Sequence, residues 1–145
     1  MFSKACEYAI RAVVYIADQT QQGNRVNIKE IAKAINSPEA FTAKILQQLV
    51  RSDILSSLKG PTGGFSIKSE RLETLNMCDV VVAIDGDDVL TGCGLGLCVC
   101  TDEHPCPAHD KFTDIREDLR KMLENTSILE LTKNLEKGLA FLRAK

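Results

Sequence analysis

The sequence predicts a mainly helical fold, interrupted once by a small two-stranded hairpin, and three observations point there. Apolar residues recur at three-and-four spacing in successive stretches divided by polar or glycine-bearing breaks. A glycine-rich segment flanked by two short β-prone runs follows the third of these stretches. A run holding Cys93, Cys98, Cys100 and Cys106 among glycines and prolines fits neither period and must be an irregular loop.

Taken in order, residues 3–19 place Phe2, Cys6, Ala9, Ile10, Val13, Val14 and Ala17 on one helical face. A polar break at 21–25 contains Gly23. Asn27 precedes Ile28 with Glu30 three residues on, a capping-box-like start for a short helix striped by Ile28, Ile31, Ala32 and Ile35. In the break 36–38, Ser37 is expected to cap the next helix and Pro38 to fill its first position. That helix runs to about residue 52. It is expected to bury Phe41, Ile45, Leu46 and Leu49 and to point Glu39, Thr42, Gln48 and Arg51 outward.

Two short helices around a tight break, after a longer one, outline a helix-turn-helix. Residues 54–58 and 65–68 read as strands around Lys59-Gly60-Pro61-Thr62-Gly63-Gly64, a hairpin placed where a wing follows a recognition helix. The helices alone would suit any small helical domain. With the wing and Lys59 at its tip, the arrangement points to DNA binding. A further helix over 75–85, started at Thr74, carries Met77, Val80, Val81 and Ile84. After the cysteine loop (86–109), Phe112, Ile115, Leu119 and Met122 form a seam spaced three, four, three, suited to pairing with a second copy or to docking on the chain's own core. A last helix runs from 127 toward 142 with Leu131, Leu135, Leu139 and Leu142 on one side. The expected division is a DNA-binding unit at 1–70, a connecting helix and loop at 71–109, and dimerisation and C-terminal helices at 110–145.

The 145 residues suffice for one respectable core, and 44% hydrophobic with 26% charged residues is the balance of a soluble globular protein. No apolar run approaches a membrane span and no signal-peptide pattern opens the chain, so a cytoplasmic protein with no membrane partner is expected. In that compartment clustered thiols point to metal or redox chemistry rather than to structural disulfides. The net charge of −2 divides unevenly. Residues 1–70 hold nine Lys/Arg against six Asp/Glu, and residues 71–145 hold nine against fourteen. A mildly basic first half suits a polyanion.

Cys93, Cys100, Cys106 and His109 are separated by six, five and two residues, and Cys98 lies next but one to Cys100. Zinc knuckles present cysteines two residues apart, and no pair here does so. Widely spaced thiolates on a glycine loop suit an iron–sulfur cluster better, with a Cys3His zinc site or a metal-free thiol–disulfide switch as alternatives. His104 reads as a solvated loop residue. Cys6 and Cys78 read as core, and Asp85, Asp87 and Asp88 as helix-end and loop solvation. No nucleophile–base arrangement, phosphate loop or carboxylate pair suggests an enzyme.

The wing Lys59-Gly60-Pro61-Thr62-Gly63-Gly64-Phe65, the opening Cys6-Glu7-Tyr8-Ala9-Ile10-Arg11-Ala12, the segment Ala43-Lys44-Ile45-Leu46-Gln47-Gln48-Leu49 and the loop end Pro105-Cys106-Pro107-Ala108-His109 together resemble a known family. It is the iron–sulfur-cluster regulator family of bacterial winged-helix repressors, with IscR-like and nitric-oxide-sensing NsrR-like members. The resemblance covers essentially the whole chain. It implies a homodimer that binds a palindromic operator in double-stranded DNA, with half-sites one or two helical turns apart. It implies a cluster, of the 2Fe-2S or 4Fe-4S type, held by Cys93, Cys106 and either Cys100 or Cys98, with His109 as fourth ligand. The five-residue gap to Cys106 matches the family loop and favours Cys100. On the DNA side the expected contacts are Glu39, Ala40, Thr42 and Lys44 of the recognition helix and Lys59, Gly60, Pro61 and Thr62 of the wing. Two features depart from the family pattern: the surplus Cys98, and Lys59 where many members carry Arg, which costs the bidentate reach to guanine. Outside the cluster-controlled class stand a zinc-stabilised or cluster-free repressor answering a thiol or metabolite signal, and a redox or metal carrier that does not bind DNA.

Overall fold

In the computed structural model, which describes residues 1–136 and Leu142, eight helices and one hairpin follow in the order α1 (Lys4–Gln21), α2 (Ile28–Ile35), α3 (Glu39–Arg51), β1 (Ser56–Leu58), β2 (Gly64–Ser66), α4 (Ser69–Thr74), α5 (Met77–Asp85), α6 (Asp88–Thr91), α7 (His109–Asn125) and α8 (Ile128–Glu136). Helix α1 starts where Ser3 accepts the Cys6 amide on its side chain. Helix α2 carries the expected capping box, with Asn27 and Glu30 each accepting the other's backbone N–H. It ends on Asn36 in the left-handed conformation, a residue type that tolerates a φ of 53°. The α2–α3 break is therefore tight, and α3 packs across both α1 and α2.

Ser37 does not cap α3. The helix begins one residue later than expected, with Pro38 preceding it and no side chain closing its first turn. Ser37 instead shares a hydrogen bond with the Thr42 hydroxyl, which also donates to the Pro38 carbonyl at 2.7 Å. Thr42 is 1% exposed, contrary to the expectation that it points outward. It stands three, four and seven residues before Ile45, Leu46 and Leu49 and so shares their buried face. Gln48 is half-buried rather than outward, its amide donating to the Ala83 carbonyl of α5 at 3.0 Å.

The wing strands are shorter than the apolar runs that announce them. β1 and β2 pair antiparallel with Ser57 opposite Phe65, and the flanking Ile54, Leu55 and Ile67 are buried outside the ladder. The outer edge of β2 is covered by Val26, which exchanges two backbone hydrogen bonds with Phe65 (3.1 and 2.8 Å). That crossing requires glycine at 64: its φ is +131°, and a Cβ there would stand 2.8 Å from the Val26 carbonyl oxygen.

Beyond the wing, α4 was not foreseen. The next helix starts at Asn76 rather than Thr74, because Asn76 and Asp79 form a second capping box. The core draws on residues from both halves of the described chain: Leu75, Val80 and Ile128 join Ala9, Val13, Ile16, Leu46 and Leu49 in one apolar cluster. Helix α8 lies along α1, where the buried Thr132 hydroxyl donates to the Gln21 side chain at 2.9 Å. Leu142 also packs on this core; Leu139, expected on the same face, lies outside the described residues. A smaller cluster of Cys6, Val81, Leu90 and Leu123 seats α7 against α5 and α6. Asp85, at the end of α5, accepts from the Ser3 amide and hydroxyl and so ties that end to the start of α1.

Candidate metal centre and nucleic-acid interface

The loop between α6 and α7 gathers three sulfurs. The Sγ atoms of Cys93, Cys100 and Cys106 all lie within 4.8 Å of one another, Cys106 buried and the other two half-buried. Gly94 lets the loop close down on α7: a Cβ there would meet the Phe112 ring at 2.6 Å. Arg116 of α7 donates to the Gly92 carbonyl at 2.7 Å and anchors the entrance of the loop. Cys98 is exposed and stands outside the group, among the exposed side chains of Leu95, Leu97 and Val99.

Electrostatics favour the charged form of one of these sulfurs. The Cys93 thiol is brought down to about 7 by the backbone N–H groups of Leu97 and Leu95, assisted by hydrogen bonds from Cys100 and Cys106. His109, the first residue of α7, sets Nδ1 3.2 Å from the Cys100 sulfur and Nε2 3.0 Å from an Asp102 carboxylate oxygen. The hydrogen bond with Cys100, then that with Asp102, raises the imidazole above its ordinary value. His109 thus touches one of the three sulfurs but is not in the group that gathers within 4.8 Å, and the carboxylate on its Nε2 is the kind of partner that orients a metal-binding histidine. Asp102 was not foreseen, because only the folded loop brings it back to a residue seven positions on. His104 is exposed, as read from the sequence.

The second candidate surface is the outside of α3 and the wing. Ala40, Lys44, Gln47 and Arg51 are all exposed and fall on one stripe, opposite the buried Thr42, Ile45, Leu46 and Leu49. Glu39 is exposed beside this stripe, and Thr42 drops out of the expected contact set because it is buried. Lys59, Gly60, Pro61 and Thr62 form the exposed wing tip, closed by a Gly63 N–H to Gly60 carbonyl bond of 3.0 Å. Gly63 has no room for a side chain, since a Cβ would overlap the Leu58 carbonyl. Gln47 and Arg51 stand outside the expected contact set, although their places three and seven residues after Lys44 mark the stripe.

A three-helix core with a wing, followed by a helix-bound cysteine loop, defines a winged helix-turn-helix regulator. The family profile described as Rrf2, iron-dependent transcriptional regulator, matches residues 2–134, and the chain belongs to that family. Members are transcriptional regulators, not enzymes. The chain is 28% identical over 141 residues to a protein of Aquifex aeolicus classed as an HTH-type transcriptional regulator, covering 96% of each. It is 24% identical to the HTH-type transcriptional regulator NsrR of Oceanobacillus iheyensis, covering 96% of this chain and 94% of that one. Among solved structures, CymR, the global cysteine regulator of B. subtilis, superposes with a TM-score of 0.75 at 19% identity, over 92% of this chain and 96% of that one. IscR of T. potens superposes at 0.74 with 16% identity, over 97% of this chain and 91% of that one. Among the described residues no helix is long and apolar enough to cross a membrane.

Proposed function

We propose that this chain is a homodimeric repressor whose hold on a palindromic operator is set by an iron–sulfur cluster of the two-iron type. In this reading Cys93, Cys100 and Cys106 hold the cluster and His109 supplies the fourth ligand. The observation that carries it is the convergence of three thiols on an irregular loop, in a chain of a family described as iron-dependent. The donors suit the group chemically: three gathered soft sulfurs, with the His109 imidazole, which touches Cys100 but stands outside the gathered three, oriented by a carboxylate. A cluster held there would supply one-electron chemistry at a potential set by its ligands and their hydrogen bonds. The chain's own residues do the rest. Leu95 and Leu97 amides hold charge on Cys93, Asp102 fixes the ring of His109, and Phe112 and Arg116 tie the loop to α7. Along α7, Ile115 (63% exposed) and Met122 (46%) leave apolar surface uncovered, which supports pairing with a second copy through this helix.

The closeness of the sulfurs favours zinc as the second reading. Zinc–sulfur bonds of about 2.3 Å put tetrahedral ligands roughly 3.8 Å apart, within the span seen here. Anaerobic purification, read by visible absorption with iron, sulfide and zinc assays, separates the two. Brown protein with matched iron and sulfide, whose binding to its own upstream DNA falls when the cluster is removed, supports the proposal, and the iron-to-protein ratio tells two irons from four. Colourless protein with stoichiometric zinc assigns the loop to structure. Protein that carries the cluster but shows no salt-dependent DNA binding is a carrier.

A further inference from the structure

The outer stripe of α3 is unevenly furnished. Its first half offers Ala40 and half-buried Ala43, which have no hydrogen-bonding side chain, and Lys44, which acts as a point charge. Its second half carries Gln47 and Arg51, both exposed. Of the residues exposed on α3, Gln47 alone has a neutral side chain with both donor and acceptor, the pair that matches the N6 and N7 atoms of adenine in the major groove.

Gln47 is also set apart by its surroundings. A groove of about 470 Å³ separates this end of α3 from the wing, with Gln47, Val50 and Arg51 on one wall and Leu58, Lys59 and Phe65 on the other. Its floor is apolar and its rim carries two cations, Arg51 and Lys59, one from each wall. Cations on both sides of a cleft favour a phosphate backbone running between them, which would lay the adjoining base edges against α3. The half-buried Gln48 next to it is committed to the Ala83 carbonyl and cannot turn outward without losing that bond. Gln47 has no hydrogen-bond partner among the described residues other than those of its helix backbone.

We infer that Gln47 is a specificity-determining residue of this regulator, reading an adenine in each half-site, while Arg51 and Lys59 hold the neighbouring phosphates. The inference rests on the DNA-binding function of the family and adds which side chain of this chain selects the base. It moves readout toward the wing end of α3, away from the N-terminal turn on which the sequence had placed it.

The test is selection from a synthetic duplex pool with a random core, using wild-type protein, Gln47→Ala, Gln47→Arg and Arg51→Ala, each sequenced after binding. Wild-type protein should enrich a two-fold symmetric motif. Gln47→Ala should lose preference at one adenine per half-site, with roughly tenfold less discrimination there and the other positions intact. Gln47→Arg should convert that adenine to guanine. Arg51→Ala should keep the motif, weaken all sequences alike and lower the salt slope by about one per protomer. An unchanged motif for Gln47→Ala and Gln47→Arg overturns the assignment while leaving DNA binding in place. Failure of the wild-type protein to enrich any motif overturns sequence-specific binding itself, and the assignment with it.

Discussion

Replacing Thr42 by Val separates a structural role from a DNA contact at one position. The side chain is 1% exposed, so shape is kept and only the hydroxyl is lost. The bonds removed are the 2.7 Å donation to the Pro38 carbonyl and the pairing with Ser37. The Pro38 carbonyl still accepts the Thr42 N–H at 2.9 Å, and Ser37 is half-exposed and reaches water, so neither partner is left buried and unsatisfied. The cost therefore falls near the ordinary net value of a hydrogen bond, about 1 kcal/mol, rather than the larger penalty of an orphaned group. For a chain of this length that lowers Tm by about 3 °C. Thermal unfolding followed by circular dichroism measures the shift, and fluorescence anisotropy on the protein's own upstream DNA, well below Tm, measures binding. Stability should fall while affinity stays within about twofold. An unchanged Tm together with a tenfold loss of affinity, about 1.4 kcal/mol, would place Thr42 on the DNA and refute the assignment of its face.

Cys106→Ser should abolish metal retention while Cys98→Ser leaves metal content and absorption unchanged, because Cys98 stands apart from the three gathered sulfurs; equal losses in both would show that the loop rearranges to use the fourth thiol. Gly94→Ala drives a Cβ to 2.6 Å from the Phe112 ring, so it should speed metal loss to a chelator several-fold, an effect that Phe112→Leu in the same chain should partly relieve. Burial first, then the Asp85 carboxylate, pushes the Cys6 thiol up to about 12 from 9.0. Between those values the unfolded chain releases a proton that the folded chain keeps. The stability tied to Cys6 is thus complete below pH 9 and drains away as pH rises toward 12, by on the order of 1 kcal/mol per pH unit. In alkaline denaturant titrations Cys6→Ala should show one proton less of this pH slope, and an identical slope in both proteins would mean the thiol is not shielded.

Much of the fold was legible because local signals agreed with the packing. The Asn27–Glu30 capping box, the periodicities of α1, α2 and α7, and the glycine hairpin all stand where the residues put them. The error at Thr42 came from residue type: a hydroxyl was set outside although its spacing from Ile45, Leu46 and Leu49 set it inside, and a helix turn that absorbs its own hydroxyl makes burial cheap. Thr74 lost the start of α5 to Asn76 because Asp79 completes a reciprocal box only with Asn76. Helices α4 and α6 span six and four residues, too short to display a period. In the loop, the residues alone named four candidate thiols, and it was the family resemblance that favoured Cys100 over Cys98, and so the trio the structure gathers. The separation of Cys98 from Cys100 and the turn of Asp102 onto His109 depend on how an irregular backbone closes on Phe112, a contact with no sequence period.

The Gln48–Ala83 hydrogen bond bears on how far a disturbance must travel. Ala83 lies in the last turn of α5, and the chain runs from the end of that helix through α6 into the cysteine loop. The back of α3 is thus fastened to the last turn of α5, the two helices pack against one another, and the cysteine loop follows after the short α6. Helix α5 is thus a wall common to both ends of the molecule, packed on by the outer helix α3 and by α7, the helix that carries the cysteine loop.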